Sequence, residues 1–387
     1  MAVNVTDKIK NIGVNDYDID LFEGQYVLKN GMAYNSYVIL DDKIAVFDTV
    51  DKIAIDRWSA NLDEVLEKKA PDYLIVQHLE PDHSCGIQLF AEKYPDAKLV
   101  MSAGALRMLP QFCDIDSSRV MAVKEGDTLE LGEHKLTFIM APMVHWPEVM
   151  VTYESTEKVL FSADAFGKFG TADADEGWNC EARRYYFNIV GKYGTQVQNL
   201  LKKVAGLELK AICSLHGPVL IDTIPEVLKL YNTWSSYEPE DRGVFIACAS
   251  IHGNTMKAAE EMKQLLENKG CPRVVLADLT REDIAECVED AFRHSVLLCM
   301  ASSYDAGVFA PMADFIHHLQ SKAYQNRTVA LVENTSWAPS AVRTMKSEFE
   351  KMKNIKLLDK TVSIKTRLTD DSRAQLGELA DEIMKEF

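Results

Sequence analysis

The chain has 387 residues, of which 47% are hydrophobic and 26% are charged, and its formal net charge is −17. This length is sufficient for two domains with separate cores, and the composition is ordinary for a globular protein. The acidic balance argues against binding to nucleic acid or to an anionic membrane, because both require a basic surface. No apolar stretch approaches the roughly 20 residues that cross a bilayer, and residues 1–16 lack the apolar segment of a secretory signal. We therefore expect a cytoplasmic protein.

The eight cysteines contain no C-x-x-C pair, which argues against an iron–sulfur or rubredoxin-type centre. Several of them, including Cys213 and Cys299, lie inside apolar runs, where a thiol behaves as a small hydrophobic group. Unpaired thiols of this kind are typical of a reducing compartment.

The first part of the chain predicts short strands interrupted by helices. In chain order, the predicted elements are a hairpin over residues 34–50 with its turn at Asp41-Asp42, a helix over 53–68, strands over 73–77, 98–103, 134–142, 149–155 and 158–164, a helix over 181–201, and a strand over 209–217.

From Gly243 onward, continuous apolar strands alternate with helices, which is typical of a parallel sheet covered on both faces. The predicted strands are 243–250, 273–278, 295–302 and 327–334, the predicted helices between them are 255–269, 281–292 and 309–320, and a helix, a weak strand and a last helix follow. A proline and several charges interrupt the pattern near residues 238–242, so we predict domains over 1–241 and 242–387.

Residues that bind metals are concentrated after the predicted strand 73–77. Four of them fall within six residues: His78, Glu80, Asp82 and His83. This spacing cannot place all four on one face of a helix or strand, whereas a loop at a strand end can spread them, which suits two metal ions better than one. His145, Asp164 and His216 also follow predicted strands. A solvated acidic loop, and for His216 alone a core histidine, are the structural alternatives, but four strands that all end in such residues favour a metal centre.

The pattern His78-x-Glu80-x-Asp82-His83, followed by His145, Asp164 and His216, resembles the metallo-β-lactamase superfamily. Most hydrolytic members have histidine where this chain has Glu80, and they bind zinc. The glutamate, together with a flavodoxin-like second half, is more similar to the flavodiiron proteins (A-type flavoproteins), as are "YNSYVI" from Tyr34 and "HWP" from His145. The resemblance covers nearly the whole chain. It implies an N-terminal metallo-β-lactamase-like αββα sandwich and a C-terminal flavodoxin-like doubly wound parallel sheet.

The resemblance also implies two non-haem iron ions. One would be held by His78, Glu80 and His145, the other by Asp82, His83 and His216, and Asp164 would bridge them. A carboxylate in place of an imidazole makes the ligand set harder, which favours iron or manganese. A zinc hydrolase with an accessory flavodoxin-like domain remains the alternative.

The segment "SIHGNT" lies between a predicted strand and a predicted helix, where backbone N–H groups form an anion site. It is similar to the flavodoxin phosphate loop [ST]-x-[ST]-G-N-T, with His252 in place of a hydroxyl residue; a plain helix cap is the alternative.

Loops after two further strands lie where open α/β sheets bind ligands, with Tyr304 and Trp337 placed to flank an isoalloxazine ring, although the third loop lacks the glycines of many relatives. The predicted FMN contacts are Ser250, Ile251, His252, Gly253, Asn254, Thr255, Ser302, Ser303, Tyr304, Asp305, Ala306, Asn334, Thr335, Ser336 and Trp337.

By resemblance, the chain is expected to reduce O2 to water, NO to N2O, or both, and to work as a head-to-tail homodimer or a dimer of dimers. Electrons would come from rubredoxin or another donor, because no rubredoxin domain follows Phe387. A non-catalytic electron carrier that uses only FMN is a further alternative.

Overall fold

The computed structural model describes residues 3–387 and divides into two compact units, the first ending at Asn232 and the second beginning at Thr233. The boundary predicted between residues 241 and 242 lies a few residues further along the chain and remains a prediction. Among the described residues, no helix combines the length and the apolar character needed to cross a membrane.

From residue 3 onward, the first unit contains sixteen short strands. They are β1 (Val3–Asn4), β2 (Ile9–Asn11), β3 (Val14–Asp16), β4 (Leu21–Phe22), β5 (Tyr26–Val27), β6 (Met32–Tyr34), β7 (Tyr37–Ile39), β8 (Ala45–Phe47), β9 (Tyr73–Val76), β10 (Lys98–Ser102), β11 (Val120–Val123), β12 (Thr128–Glu130), β13 (Lys135–Met140), β14 (Met150–Glu154), β15 (Val159–Phe161) and β16 (Ala211–Cys213). The helices that begin in this unit are α1 (Ile55–Leu66), α2 (Pro81–Ser84), α3 (Ile87–Lys93), α4 (Ala103–Met108), α5 (Trp178–Tyr185), α6 (Gly194–Val204) and α7 (Ile224–Ser235).

Two mixed sheets form the core of the first unit. One has the order β1-β2-β7-β8-β9-β10-β11 and the other β12-β13-β14-β15-β16. Their facing side chains form one apolar cluster, in which Phe47 of the first sheet stacks on Phe161 of the second at a centroid distance of 4.0 Å. On α1, Trp58, Leu62 and Leu66 are buried at intervals of four residues, so one face of the helix is buried. The predicted sandwich is confirmed.

Strand direction brings several strand ends to one edge of this sandwich. In the second sheet, β13 and β15 both pair antiparallel with β14, and β16 pairs parallel with β15. The carboxyl ends of β13, β15 and β16 therefore point the same way. The residues that follow these strands can converge on a single site.

The second unit is a parallel sheet with helices. Its strands are β17 (Asp241–Ala249), β18 (Val274–Asp278), β19 (His294–Tyr304), β20 (Gly307–Val308), β21 (Arg327–Thr335), β22 (Ile355–Leu357) and β23 (Val362–Lys365), and its helices are α8 (Asn254–Asn268), α9 (Ile284–Arg293), α10 (Ala310–Ser321), α11 (Ala341–Phe349) and α12 (Asp370–Met384). The order β18-β17-β19-β21-β22, with β23 also parallel to β21, is the 2-1-3-4-5 order of flavodoxin-like sheets. This confirms the predicted doubly wound fold.

Some local predictions differ from the structure. The helix predicted over 181–201 is broken: α5 passes into a π-helical turn (Tyr186–Val190) and a 3₁₀ turn (Gly191–Tyr193) before α6 begins. Glycines at positions 191 and 194 weaken helix at this point. The helix predicted to start at Arg281 starts at Ile284, because the Asp283 side chain caps it by accepting from the Ala285 N–H.

Candidate metal centre and cofactor cleft

The seven predicted metal ligands converge at the edge where the strands of the first unit end. His78 and Glu80 lie in the segment after β9, and His145, Asp164 and His216 follow β13, β15 and β16. Asp82 and His83 do not lie in a loop as predicted but in the one-turn helix α2, which begins at Pro81. Proline is favoured at a first helical position because its ring fixes φ. The turn from extended chain to helix separates the four neighbouring ligands into two groups.

The first group contains His78, Glu80, His145 and Asp164, whose ligand atoms all lie within 4.8 Å of one another. Glu80 Oε2 is 3.2 Å from His78 Nε2 and 3.0 Å from His145 Nε2. The same nitrogen of His145 is 3.1 Å from Asp164 Oδ2. Two imidazoles and two carboxylates thus point at one small volume.

The second group contains Asp82, His83 and His216, which also lie within 4.8 Å of one another. The Nε2 atoms of the two histidines are 3.0 Å apart, and Asp82 Oδ2 is 3.3 Å from each. Asp164 connects the groups, because its Oδ1 is 3.3 Å from His83 Nε2 while its Oδ2 faces His145. One carboxylate therefore offers one oxygen to each group.

Several polar atoms of this cluster are buried without a hydrogen-bond partner in the described chain. They are both oxygens of Asp82, Oδ1 of Asp164 and Nδ1 of His83. Buried carboxylate oxygens without donors are costly, and a bound cation removes that cost. Ligand atoms bound to one ion at about 2.1 Å lie about 3–3.5 Å apart, as these atoms do. Four imidazoles and three carboxylates fit two non-haem irons.

The charges of the cluster shift its protonation. Burial by itself would lower the pKa of His83 and of His145. Neighbouring carboxylates, first Asp82 for His83 and Asp164 for His145, nevertheless raise both pKa values to about 9. The pKa of His78 is also raised well above its ordinary value, against the effect of burial. Although burial opposes it, the charges and hydrogen bonds of the histidines hold the pKa of Asp164 well below its usual range. Without metal, the raised pKa values therefore favour the protonated forms of His78, His83 and His145.

The second unit contains a cleft of about 570 Å³ at the carboxyl ends of its strands. Gly253 precedes α8 with φ of 84°, a left-handed conformation that suits glycine, and the first N–H groups of the helix lack partners within it. Asn334 is held by two 3.0 Å hydrogen bonds with the backbone of Thr366. The lining residues are Ser250, Ile251, His252, Asn254, Thr255, Ser302, Ser303, Tyr304, Asp305, Ala306, Asn334, Thr335, Ser336, Trp337, Ala338, Ser340 and Thr366.

The predicted contacts of the second unit therefore lie around one cleft, apart from Gly253, which does not line it but precedes the helix. Ala338, Ser340 and Thr366 line the cleft and were not predicted. As contacts to a cofactor, all of these residues remain predictions.

Comparison with known proteins finds similar proteins whose matches cover both units. Residues 32–217 match the family model described as ODP family beta lactamase. The anaerobic nitric oxide reductase flavorubredoxin of Salmonella arizonae is 28% identical over 364 residues, which is 90% of this chain and 75% of that protein. Rubredoxin oxygen:oxidoreductase from Desulfovibrio gigas has a TM-score of 0.92 at 24% identity, covering 100% of this chain and 98% of that one. The flavodiiron protein from Giardia intestinalis has a TM-score of 0.93 at 22% identity, with 100% and 97% covered.

The chain is similar to flavodiiron proteins, in sequence over 90% of its length and in fold throughout. The resemblance read from the residues is thereby confirmed, and so is the pairing of a β-lactamase-like unit with a flavodoxin-like one.

Residues that the sequence did not indicate hold the candidate metal ligands in place. Glu148 Oε1 accepts hydrogen bonds from His78 Nδ1 at 2.8 Å and from the Leu79 N–H at 3.0 Å. The Ala33 carbonyl accepts from His216 Nδ1 at 2.8 Å, and the Tyr185 hydroxyl donates to Asp164 Oδ2 at 3.0 Å. A histidine that donates from Nδ1 keeps the lone pair of Nε2 for a metal.

Asp48, which follows β8, holds the backbone at Gln77 and His78 in a similar way. It is fully buried and accepts from the N–H groups of Gln77 at 2.7 Å and His78 at 3.3 Å. The only local signal for Glu148 was its position three residues after His145, and Asp48 and Tyr185 had none beyond their polarity.

Proposed function

We propose that this protein is a flavodiiron oxidoreductase that reduces O2 to water, NO to N2O, or both, at two non-haem irons that receive electrons through FMN. The observation that carries the proposal is Asp164, whose two oxygens face two separate ligand groups. The names of the relatives support both substrates, since one is a nitric oxide reductase and another an oxygen oxidoreductase. The zinc-hydrolase alternative has no support from these relatives and is not proposed.

In the proposal, His78, Glu80 and His145 hold one iron, Asp82, His83 and His216 hold the other, and Asp164 bridges them. When bound, the irons and the flavin supply the electrons, four for each O2 or two for each pair of NO molecules. Glu148 and the Ala33 carbonyl fix the ring orientation of their histidines. Burial and the charge of Asp164 raise the pKa of Tyr185 well above its ordinary value, so its hydroxyl remains a donor to Asp164.

We place the phosphate of FMN at the 250–255 loop and its ring between Tyr304 and Trp337. The N-terminus of α8 favours an anion, and Gly253 lets the chain turn into the helix close to it. Trp337 is 90% exposed and Tyr304 49% exposed, so both rings are accessible to a planar ligand. The electron donor is proposed to be rubredoxin or another separate carrier. The working form is proposed to be a head-to-tail homodimer, or a dimer of dimers, in the cytoplasm.

The test is metal and flavin analysis combined with one substitution. The purified protein should contain about two irons and one FMN per chain, and Asp164→Ala should abolish O2 and NO consumption while FMN remains bound. Zinc as the only metal, with no turnover after iron loading, would refute the proposal and favour a hydrolase. FMN without any metal would indicate a simple electron carrier.

A further inference from the structure

A second cluster of metal-ligand residues lies at the opposite edge of the sandwich from the candidate iron centre. His134 directly precedes β13, and Glu154 is the last residue of the antiparallel strand β14. Glu157 lies in the turn that leads into β15. The ligand atoms of these three residues all lie within 4.8 Å of one another.

The imidazole of His134 is fixed in one orientation by Asp41, in the turn between β7 and β8. Asp41 Oδ2 is 2.7 Å from both the backbone nitrogen and the ring Nδ1 of His134. A carboxylate has no proton to donate, so Asp41 can only accept from Nδ1. Nδ1 must therefore carry the proton, and Nε2 is available as a ligand.

His134 Nε2 points at the glutamates without a hydrogen-bond partner, although the residue is only 2% exposed. The nearest oxygen in an ion-pair contact, Glu157 Oε2, is 3.7 Å away, which is too long for an N–H···O bond. It is close to the separation of about 3.4 Å between two ligands of one tetrahedral metal ion. Glu154 is fully buried, and its two oxygens accept hydrogen bonds from the backbone N–H groups of Thr156 and Glu157 at 2.7 Å each. Each oxygen keeps a second lone pair that can face a cation.

We propose that His134, Glu154 and Glu157 bind a divalent metal ion such as Zn²⁺, and that Asp41 positions the imidazole of His134. One nitrogen and two carboxylates suit such an ion better than Mg²⁺ or Ca²⁺, which prefer oxygen ligands throughout. Asp41 belongs to the first sheet and the three ligands to the second, and Thr6 donates to Glu157 Oε2 at 2.6 Å. A bound ion would therefore tie both sheets and the N-terminal segment together, independently of the proposed reductase activity.

The test starts from the iron- and FMN-loaded protein, equilibrated with Zn²⁺ by dialysis and then counted for zinc and iron by mass spectrometry. We expect one zinc to be gained per chain with the iron content unchanged, and Zn²⁺ to raise the melting temperature. Glu157→Gln, at a side chain that is 25% exposed and so tolerant of substitution, should lower zinc affinity at least tenfold and remove the shift in melting temperature.

Glu208→Gln is the matched control, because this exposed glutamate pairs with Lys158, next to Glu157, outside the proposed site. It should bind zinc like the unaltered protein. Crystals soaked in Zn²⁺ should show anomalous scattering beside His134 Nε2. The proposal is overturned if no zinc is gained, if zinc enters only as iron leaves, or if Glu157→Gln binds zinc as well as Glu208→Gln does.

Discussion

At the scale of single residues, the side chains of the candidate iron centre are oriented by hydrogen bonds to residues outside the ligand set. Glu148 and His78 are both buried, and their contact joins positions 70 residues apart. A ligand held this way loses little freedom when metal binds. Removal of such a hydrogen-bond partner should therefore lower the metal affinity before it changes other properties.

Glu148→Ala is expected to lower iron affinity by about 10- to 100-fold, because His78 loses the acceptor for its Nδ1 proton. Glu148→Gln should retain most of the affinity, since its amide oxygen can still accept from that nitrogen. Iron titration of both variants, with FMN content as the control, makes the measurement. Equal iron affinities of the Ala and Gln variants would contradict the positioning role.

The raised histidine pKa values predict opposite effects of pH on metal binding and on metal-free stability. In the metal-free protein, the pKa values of His83 and His145 are about 9, against about 6.5 in an unfolded chain. Their protonated forms thus stabilise the metal-free fold fully below about pH 6.5, and this stabilisation is lost as pH rises through about 9. Iron must displace these protons, so apparent iron affinity should rise over the same range.

Thermal unfolding of metal-free protein and iron titration at several pH values between 6 and 10 measure the two trends. The melting temperature should fall with pH while the affinity rises. If both rose together, or neither changed, the histidines would not be protonated in the metal-free protein.

The convergence of the seven candidate metal ligands could be predicted from sequence, because each follows a strand that the apolar pattern already indicated. Glu148 and Tyr185 could not, because each is defined by a partner distant in the chain: His78 for one and Asp164 for the other. Hydrophobic periodicity locates strands and their ends, but it does not show which buried polar groups face each other.

At the scale of secondary-structure elements, the cofactor cleft is formed by loops that follow β17, β19 and β21 and by the start of α8. Its existence could be predicted, because strand ends in an open α/β sheet are where ligands bind. Thr366, which follows β23, was missed because the sequence indicated only one weak strand where the structure has two. The break after α5 was missed although Gly191 and Gly194 mark it, because the apolar periodicity was given more weight than two glycines.

Asn254→Ala combined with Thr255→Ala should weaken FMN binding at least tenfold and leave iron content unchanged. Both residues are in the first turn of α8 and line the cleft, and each hydrogen bond to a charged group contributes about 1.5–3 kcal/mol. Asn268→Ala, at the exposed end of the same helix, is the matched control. Fluorescence titration with FMN measures the affinity, and an unchanged value would mean that the loop is only a helix cap.

At the scale of the whole molecule, each of the two units has a sheet and an apolar core of its own. The candidate iron centre belongs to the first unit and the proposed FMN cleft to the second. Electron transfer requires the flavin of one unit to meet the irons of another, either in the same chain or in a partner. A symmetric head-to-tail dimer would place the flavin of each chain beside the irons of its partner, and so would contain two flavin–iron pairs.

A mixed dimer distinguishes these two arrangements. One chain carries His145→Ala, which removes an iron ligand, and the other carries Gly253→Asp, whose carboxylate at the start of α8 would repel the FMN phosphate. No atom lies within 4 Å of a Cβ added at this position, and Asp adopts the left-handed conformation at a lower cost than most residues, so the fold should persist. Each homodimer should be inactive. If flavin and iron meet across the interface, half of the co-expressed dimers are mixed and each has one intact pair, so about a quarter of the normal activity should return. If each chain works alone, every chain lacks one cofactor and co-expression restores nothing.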